Sequence, residues 1–239
     1  MNFIPLTEDF HFEILESHQP YPEQIENIVT GIWKKALSDK SKRLENNRVL
    51  SFQGMTQNKL SVIPVDYKYF YAQYNQPELF EILKLNLIGV TGILHCKHGF
   101  VIGRRSANVL QDAKKSEFVA SGSLSFTSIN VLTGSLNTQI ISELVEEVGI
   151  SEDCLESIRV FGYLFDDKSH VVDLCYFIRT TMDFATIYKK WNQSQNDEYD
   201  KLIVVPRFCV QIFAKVFGFK LSISSRKIVS FLPSRVSNA

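Results

Sequence analysis

The stretch Ile140-Ile-Ser-Glu-Leu-Val-Glu-Glu-Val-Gly-Ile150 decides how this chain is read. Residues three and four apart share a helix face, so Glu143, Glu146 and Glu147 stand together. Ile140, Ile141, Leu144, Val145 and Val148 then fall on the opposite face. The spacing predicts a helix with a buried apolar stripe and a bare carboxylate ridge, stopped by Gly149. Acidic helix faces are commonly just solvated. This one holds no Lys or Arg within the helix to pair with the ridge. Three close carboxylates repel one another unless salt screens them or a hard divalent cation neutralises them. Mg²⁺ takes oxygen ligands and keeps several waters, so a partly open ridge suits it.

The chain around this helix has 239 residues, 45% hydrophobic and 22% charged. That is a globular composition with enough chain for a core domain and a smaller companion. The formal net charge is zero. Such a balance calls for neither nucleic acid nor an anionic membrane, and neither is expected as a partner. Cys96, Cys154, Cys175 and Cys209 are scattered without zinc or redox spacing, which implies reduced thiols and a cytoplasmic protein. The first residues lack the basic-then-apolar order of a signal peptide. The apolar stretch from Leu202 to Ile223 is interrupted by Arg207, Lys215 and Lys220, short of a membrane span.

Two units are expected, residues 1–86 and 87–239. The first reads as a small α+β unit. Phe10–Leu15 alternates like a strand, and Ile25, Ile28, Val29, Ile32, Trp33 and Leu37 recur at helical spacing. Short strands follow at Val49–Phe52 and Lys59–Ile63. The run Tyr67-Lys-Tyr-Phe-Tyr-Ala-Gln-Tyr74 is aromatic-rich and helical, its rings suited to packing or to a ligand. In the second unit, Ile88–Leu94 and Phe100–Gly103 form a hairpin around Lys97-His-Gly. Arg104-Arg105-Ser106 follow that strand directly. Glu117–Leu124 is a strand or strand end, and residues 125–135 form a polar loop before the acidic helix. Strands at Ile158–Phe165 and Val171–Arg179 flank the turn at Asp166. A polar run spans Asn192–Asp197. A strand from Leu202, an apolar helix over Cys209–Phe217 and a short last helix close the chain.

This order resembles the Nudix hydrolases. Their box helix ends in Arg-Glu-apolar-x-Glu-Glu-x-Gly-apolar, matched here by Ser142-Glu-Leu-Val-Glu-Glu-Val-Gly-Ile150. Ser121-Gly122-Ser123 stands where the family has Gly-Gly, and the likeness covers about 87 to 235. Two departures stand out. Ser142 replaces the box arginine that holds the carboxylates in place, and Gly134 occupies the position of the earlier box glutamate. Ile28–Trp33, Tyr67–Phe70, Gly89-Val90, Arg104-Arg105-Ser106 and Val109 are similar to the branch that splits UDP-sugars.

The resemblance implies an α+β fold, an α/β/α sandwich of Nudix type behind the small N-terminal unit. It implies hydrolysis of a UDP-sugar to UMP and a sugar 1-phosphate, with Mg²⁺, or Mn²⁺ in its place, on Glu143, Glu146 and Glu147. Glu147 or Glu143 would serve as base, with Glu198 a rival in a late loop. Arg104 and Arg105 point to opposite sides of a strand end, so one is expected to clamp diphosphate and the other to serve a structural ion pair. Ser121, Gly122 and Ser123 would let backbone approach phosphate. The partner would be a small nucleotide. Two alternatives stay open: a Nudix-like binding module that no longer cleaves, and a hydrolase of ADP-ribose or a dinucleotide. His95 and His98 lack a zinc partner motif, and no serine-hydrolase elbow, phosphate-loop lysine or dinucleotide fingerprint occurs. Asp166, Asp167 and Asp173 could touch a sugar or a second metal, although turn chemistry accounts for the first two.

Overall fold

The structure, a computed structural model, describes residues 2–6, 10–16, 20–39, 44–56, 58–109, 112–128, 137–194 and 197–232. Gly134, most of the polar loop at 125–135 and part of the run at 192–197 lie outside them. The fold is mixed α+β, as expected. Its elements are β1 (Asn2–Pro5), β2 (His11–Ile14), α1 (Glu23–Ser38), β3 (Arg48–Thr56), β4 (Lys59–Asp66), α2 (Tyr67–Asn75), α3 (Phe80–Leu83), β5 (Leu87–Cys96) and β6 (Gly99–Arg105). Then come β7 (Ser116–Phe118), β8 (Ser121–Ser123), α4 (Thr138–Val148), β9 (Ser157–Asp166), β10 (Val171–Arg179), α5 (Phe184–Gln193), β11 (Tyr199–Val205), α6 (Val210–Phe217) and α7 (Ile223–Val229).

One sheet carries all the strands. Its main path is β1-β9-β10-β5-β3-β4-β2, and β6 joins β5, β7 and β11 in a side branch. Strand β5 is the hub. It pairs in parallel with β10, from Val171↔Leu87 to Arg179↔His95, and antiparallel with β8 at Gly89–Thr91. It is an almost unbroken apolar run because both of its faces are covered. Val90 and Leu94 pack with Ile140, Leu144 and Val148 of α4, while Ile93 packs with Val210, Ile228 and Val229 of the last helices. The sheet is thus sandwiched between α4 and α5 on one side and α6 and α7 on the other. A third cluster joins Val29, Ile63, Phe70 and Leu83 beneath α1, α2 and α3.

Two expectations change. Arg104 and Arg105 do not follow β6 but form its last residues, which fixes their directions through pairing with β11. Helix α5 is not among the expected elements, and neither are β1 and α3. The signal for α5 is local, since the Asp183 carboxylate accepts the Thr186 N–H at 2.8 Å and caps the helix.

Candidate functional site

Helix α4 is rotated relative to the sequence reading. Leu144 and Val148 are buried as expected, but Glu147 is only 3% exposed and Val145 is 47% exposed. The ridge is therefore split: Glu147 faces the sheet, Glu143 lies half-buried at the edge and Glu146 faces solvent. The apolar stripe is narrower than five residues, which leaves room for one carboxylate inside it. Gly149 ends the helix at φ +70°, as its left-handed role requires.

Strand β8 receives those carboxylates. The Ser121 N–H points at both Glu147 oxygens, at 3.3 and 3.4 Å. A Cβ on Gly122 would collide with the Glu143 carboxylate, so glycine leaves the cradle in which that group sits. The Gln139 amide, one turn earlier on α4, donates to Glu143 at 2.6 Å. Ser123 continues β8 on its exposed side. The Ser-Gly-Ser stretch thus meets the box helix.

Behind β8 lies a buried polar network that joins the expected Arg105, Ser121, Glu147 and Glu198 to two residues without an expected role, Glu117 and Tyr199. Glu117, at 7% exposure, is its centre. Arg105 Nη1 lies 2.5 Å from Glu117 Oε1, and Arg105 Nη2 lies 2.6 Å from Glu198 Oε1. Ser121 Oγ also donates to Glu117, at 3.2 Å. The buried Tyr199 hydroxyl stands between two carboxylates, 2.9 Å from Glu147 and 3.2 Å from Glu117. A phenol has one proton to donate, so it can satisfy only one of them. Glu117 carried a signal in sequence, a charge in the otherwise apolar run after Ser116. Tyr199 carried none beyond its place beside Glu198.

The two arginines separate as alternation requires. Arg104 is exposed and pairs with Asp200 at 2.5 Å, with Lys114 on the same carboxylate at 3.3 Å. Arg105 turns inward to the carboxylates. Burial opposes its charge, but Glu117 and Glu198 hold it protonated.

Every inner carboxylate is shifted upward. Burial raises Glu147 well above the usual range, and the charges of Glu117 and Glu143 add to it. Burial pushes Glu143 up to about 7 against the Gln139 hydrogen bond, with repulsion from Glu146 and Glu198. Glu117 and Glu198 are raised by burial despite Arg105. The cluster holds more negative groups than one guanidinium can neutralise, and so it favours a proton or a cation.

A cleft of about 440 Å³ opens beside this network. Arg105, Glu117 and β8 line one wall, Tyr67 and Tyr74 another, and Asp166, Asp173 and Ser222–Ser225 a third. Among the described residues Arg105 is the only cation lining it. Asp173 Oδ2 accepts from Ser224 Oγ at 3.0 Å, and a Cβ on Gly89 would collide with its other oxygen's side. Burial raises Asp173 to about 6, opposed by the Ser224 hydrogen bond.

For a metal, the donors are all hard oxygens and the Gly122 cradle admits Glu143 beside the strand, so the residue chemistry fits a divalent cation. No group of three or more His, Cys, Asp or Glu converges on one point among the described residues. Glu143 and Glu147 lie against β8, whereas Glu146 does not.

No family model matches the sequence, and no curated protein matches it. Solved structures with a similar plan include the Nudix domain of NrtR from Shewanella oneidensis, determined with ADP-ribose. It is 14% identical with a TM-score of 0.46, over 68% of this chain and 99% of that one. The MutT protein of Methanosarcina mazei Go1 is 18% identical with a TM-score of 0.41, over 61% and 91%. A bifunctional NMN adenylyltransferase/ADP-ribose pyrophosphatase of Francisella tularensis, complexed with AMP and a manganese ion, is 12% identical with a TM-score of 0.45, over 70% and 46%. These figures assign neither activity nor ligand to this chain, which rest on its own residues. No helix among the described residues is long and apolar enough to cross a membrane.

Proposed function

We propose that this chain is a Nudix-type hydrolase that cleaves the phosphoanhydride of a nucleoside diphosphate joined to a second moiety, with Mg²⁺ or Mn²⁺ as cofactor. The carrying observation is the excess of carboxylates over cations: Glu117 and Glu198 share Arg105, and Glu143 and Glu147 stand among further carboxylates, beside a cleft that adds Asp166 and Asp173. An anionic diphosphate is repelled from such a cleft unless a cation enters with it.

Glu143 and Glu147 would hold that cation, and Glu146, which points to solvent, would join them only after turning its side chain. When bound, it would neutralise phosphate oxygens and lower the pKa of an attacking water. The chain's own groups supply the rest. Arg105, anchored by two carboxylates, directs its charge to a phosphate oxygen at the cleft wall. Arg104 is held by Asp200 and takes the structural part. The backbone of Ser121, Gly122 and Ser123 brings phosphate close to α4. Glu198, paired with Arg105, is a group placed to take a proton from water, and Glu143 could do so only where it does not ligate the cation. Tyr199 holds Glu147 in position.

The finer reading is a UDP-sugar split to UMP and sugar 1-phosphate. Tyr67 and Tyr74 offer flat faces for a base, while Asp166, Asp173 and Ser222–Ser225 offer hydroxyl and carboxylate partners for a sugar. A panel of UDP-glucose, UDP-galactose, ADP-ribose and a dinucleotide, each with Mg²⁺, Mn²⁺ or EDTA, tests both levels. Turnover of UDP-sugars fastest, and only with metal, is expected. Faster turnover of ADP-ribose would replace the substrate but keep the class.

One observation favours a second reading, a module that binds a nucleotide without cleaving it. The Glu147 carboxyl is already occupied by Ser121 and Tyr199, and Glu143 by Gln139. That reading requires thermal stabilisation by nucleotides with no product formed.

A further inference from the structure

The zero net charge hides an asymmetry. From Lys201 to residue 239 there is no Asp or Glu, while Lys and Arg recur throughout. The rest of the chain is correspondingly acidic. The basic segment carries α6 and α7, on the opposite side of the sheet from α4.

Helix α6 has more apolar surface than its seat can bury. Val210 is buried, and Phe213 and Ala214 pack on the core beneath the sheet. A second stripe faces outward: Phe208 is 84% exposed, Ile212 63%, Val216 55% and Phe219 68%. Ile212 and Val216, four apart, share one face of α6, and Phe208 and Phe219 stand in the short turns just before and after it. Isolated exposed apolar residues need no explanation, but a continuous row with basic neighbours marks an interaction surface. Lys215 and Lys220 are exposed beside the stripe, and the Lys220 ammonium lies 5.5 Å from the Phe219 ring. Arg226 and Lys227 are exposed on α7, which packs against α6. None of these four cations is ion-paired among the described residues.

We infer that this face docks on an anionic lipid bilayer, with α6 lying in the plane of the interface. Protruding phenylalanines at both ends of the helix enter the acyl boundary, and long basic side chains reach the headgroups. Charge selects this occupant. Two copies of the face would set Lys215, Lys220, Arg226 and Lys227 against their own kind, which opposes self-association. Uncharged lipid would use the apolar stripe alone. An anionic surface satisfies the cations as well, each adding roughly fivefold to partitioning.

The test is co-sedimentation of the full chain with vesicles of phosphatidylcholine alone and of phosphatidylcholine mixed with phosphatidylserine. Binding to the mixed vesicles only, weakened by salt, is expected. Lys215→Ala with Lys220→Ala should lower it roughly 25-fold. Phe208→Ser with Phe219→Ser should abolish it with an unchanged thermal midpoint, because both rings are exposed. If that variant does not fold, the lysine pair decides alone. No binding to the mixed vesicles, or equal binding to both kinds, would overturn the inference. So would a concentration-dependent dimer that the phenylalanine variant dissolves without any vesicle binding, which would give the face to a second copy.

Discussion

The proposed chemistry turns on Glu147. It is buried, it accepts from Ser121 and Tyr199, and burial with nearby charges keeps it well above the usual carboxylate range. If it holds the cation, Glu147→Gln removes turnover by more than about 100-fold while the fold persists, as substrate assays and circular dichroism would show. Tyr199→Phe should lower kcat by roughly 10- to 100-fold, because the carboxylate loses the hydroxyl that orients it. Asp173 offers a separate test through pH. Its folded pKa, about 6, lies above its ordinary value of 3.8. The folded state therefore binds this proton more tightly than the unfolded chain does. The resulting stabilisation is full below pH 3.8 and is lost as pH rises through 6, with a ceiling of about 3 kcal/mol. Urea unfolding from pH 4 to 7 should show Asp173→Asn gaining on the parent chain as pH rises, and parallel curves would contradict the assignment.

At the scale of elements, α4 decides whether the site is correctly placed. Leu144 is fully buried and Val145 is 47% exposed. Leu144→Ala should cost about 2–5 kcal/mol in denaturant unfolding, whereas Val145→Ala should stay within about 0.5 kcal/mol. Equal losses would mean the helix is seated on another face. The helix itself was legible, from the spacing of its apolar residues to its Gly149 stop. Its rotation was not, because periodicity ranks a carboxylate as solvent-facing and cannot see that Ser121 and Tyr199 wait to receive Glu147. Arg104 and Arg105 were legible as a pair pointing opposite ways. Their division of labour depended on Asp200 and Glu117, partners 96 and 12 residues away. Glu117 is marked in sequence only as a charge before an apolar run, and a charge in a short strand gives no periodic sign of burial.

Over the whole molecule, the sheet joins what the sequence reads as two stretches. Strand β3 meets β5 at Ser51↔Leu87, and Val49 bridges Ser125, so Tyr67 and Tyr74 of the earlier stretch line the same cleft as Arg105 and β8. The strand and helix order was readable from apolar patterning. The pairing of β5 with the distant β10 was not, since parallel partners leave no local mark. This assembly sets acidic groups on the cleft and basic groups on the α6 face. The central claim concerns the first of these, a carboxylate cluster that needs a divalent cation to hydrolyse a nucleoside diphosphate derivative. A phosphorus NMR time course of UDP-glucose with the full chain tests it most directly. With Mg²⁺ the two diphosphate resonances should give way to two phosphomonoester resonances, and EDTA should halt the change. The same rate in EDTA as in Mg²⁺, or an unaltered diphosphate spectrum with the metal present, would contradict the account.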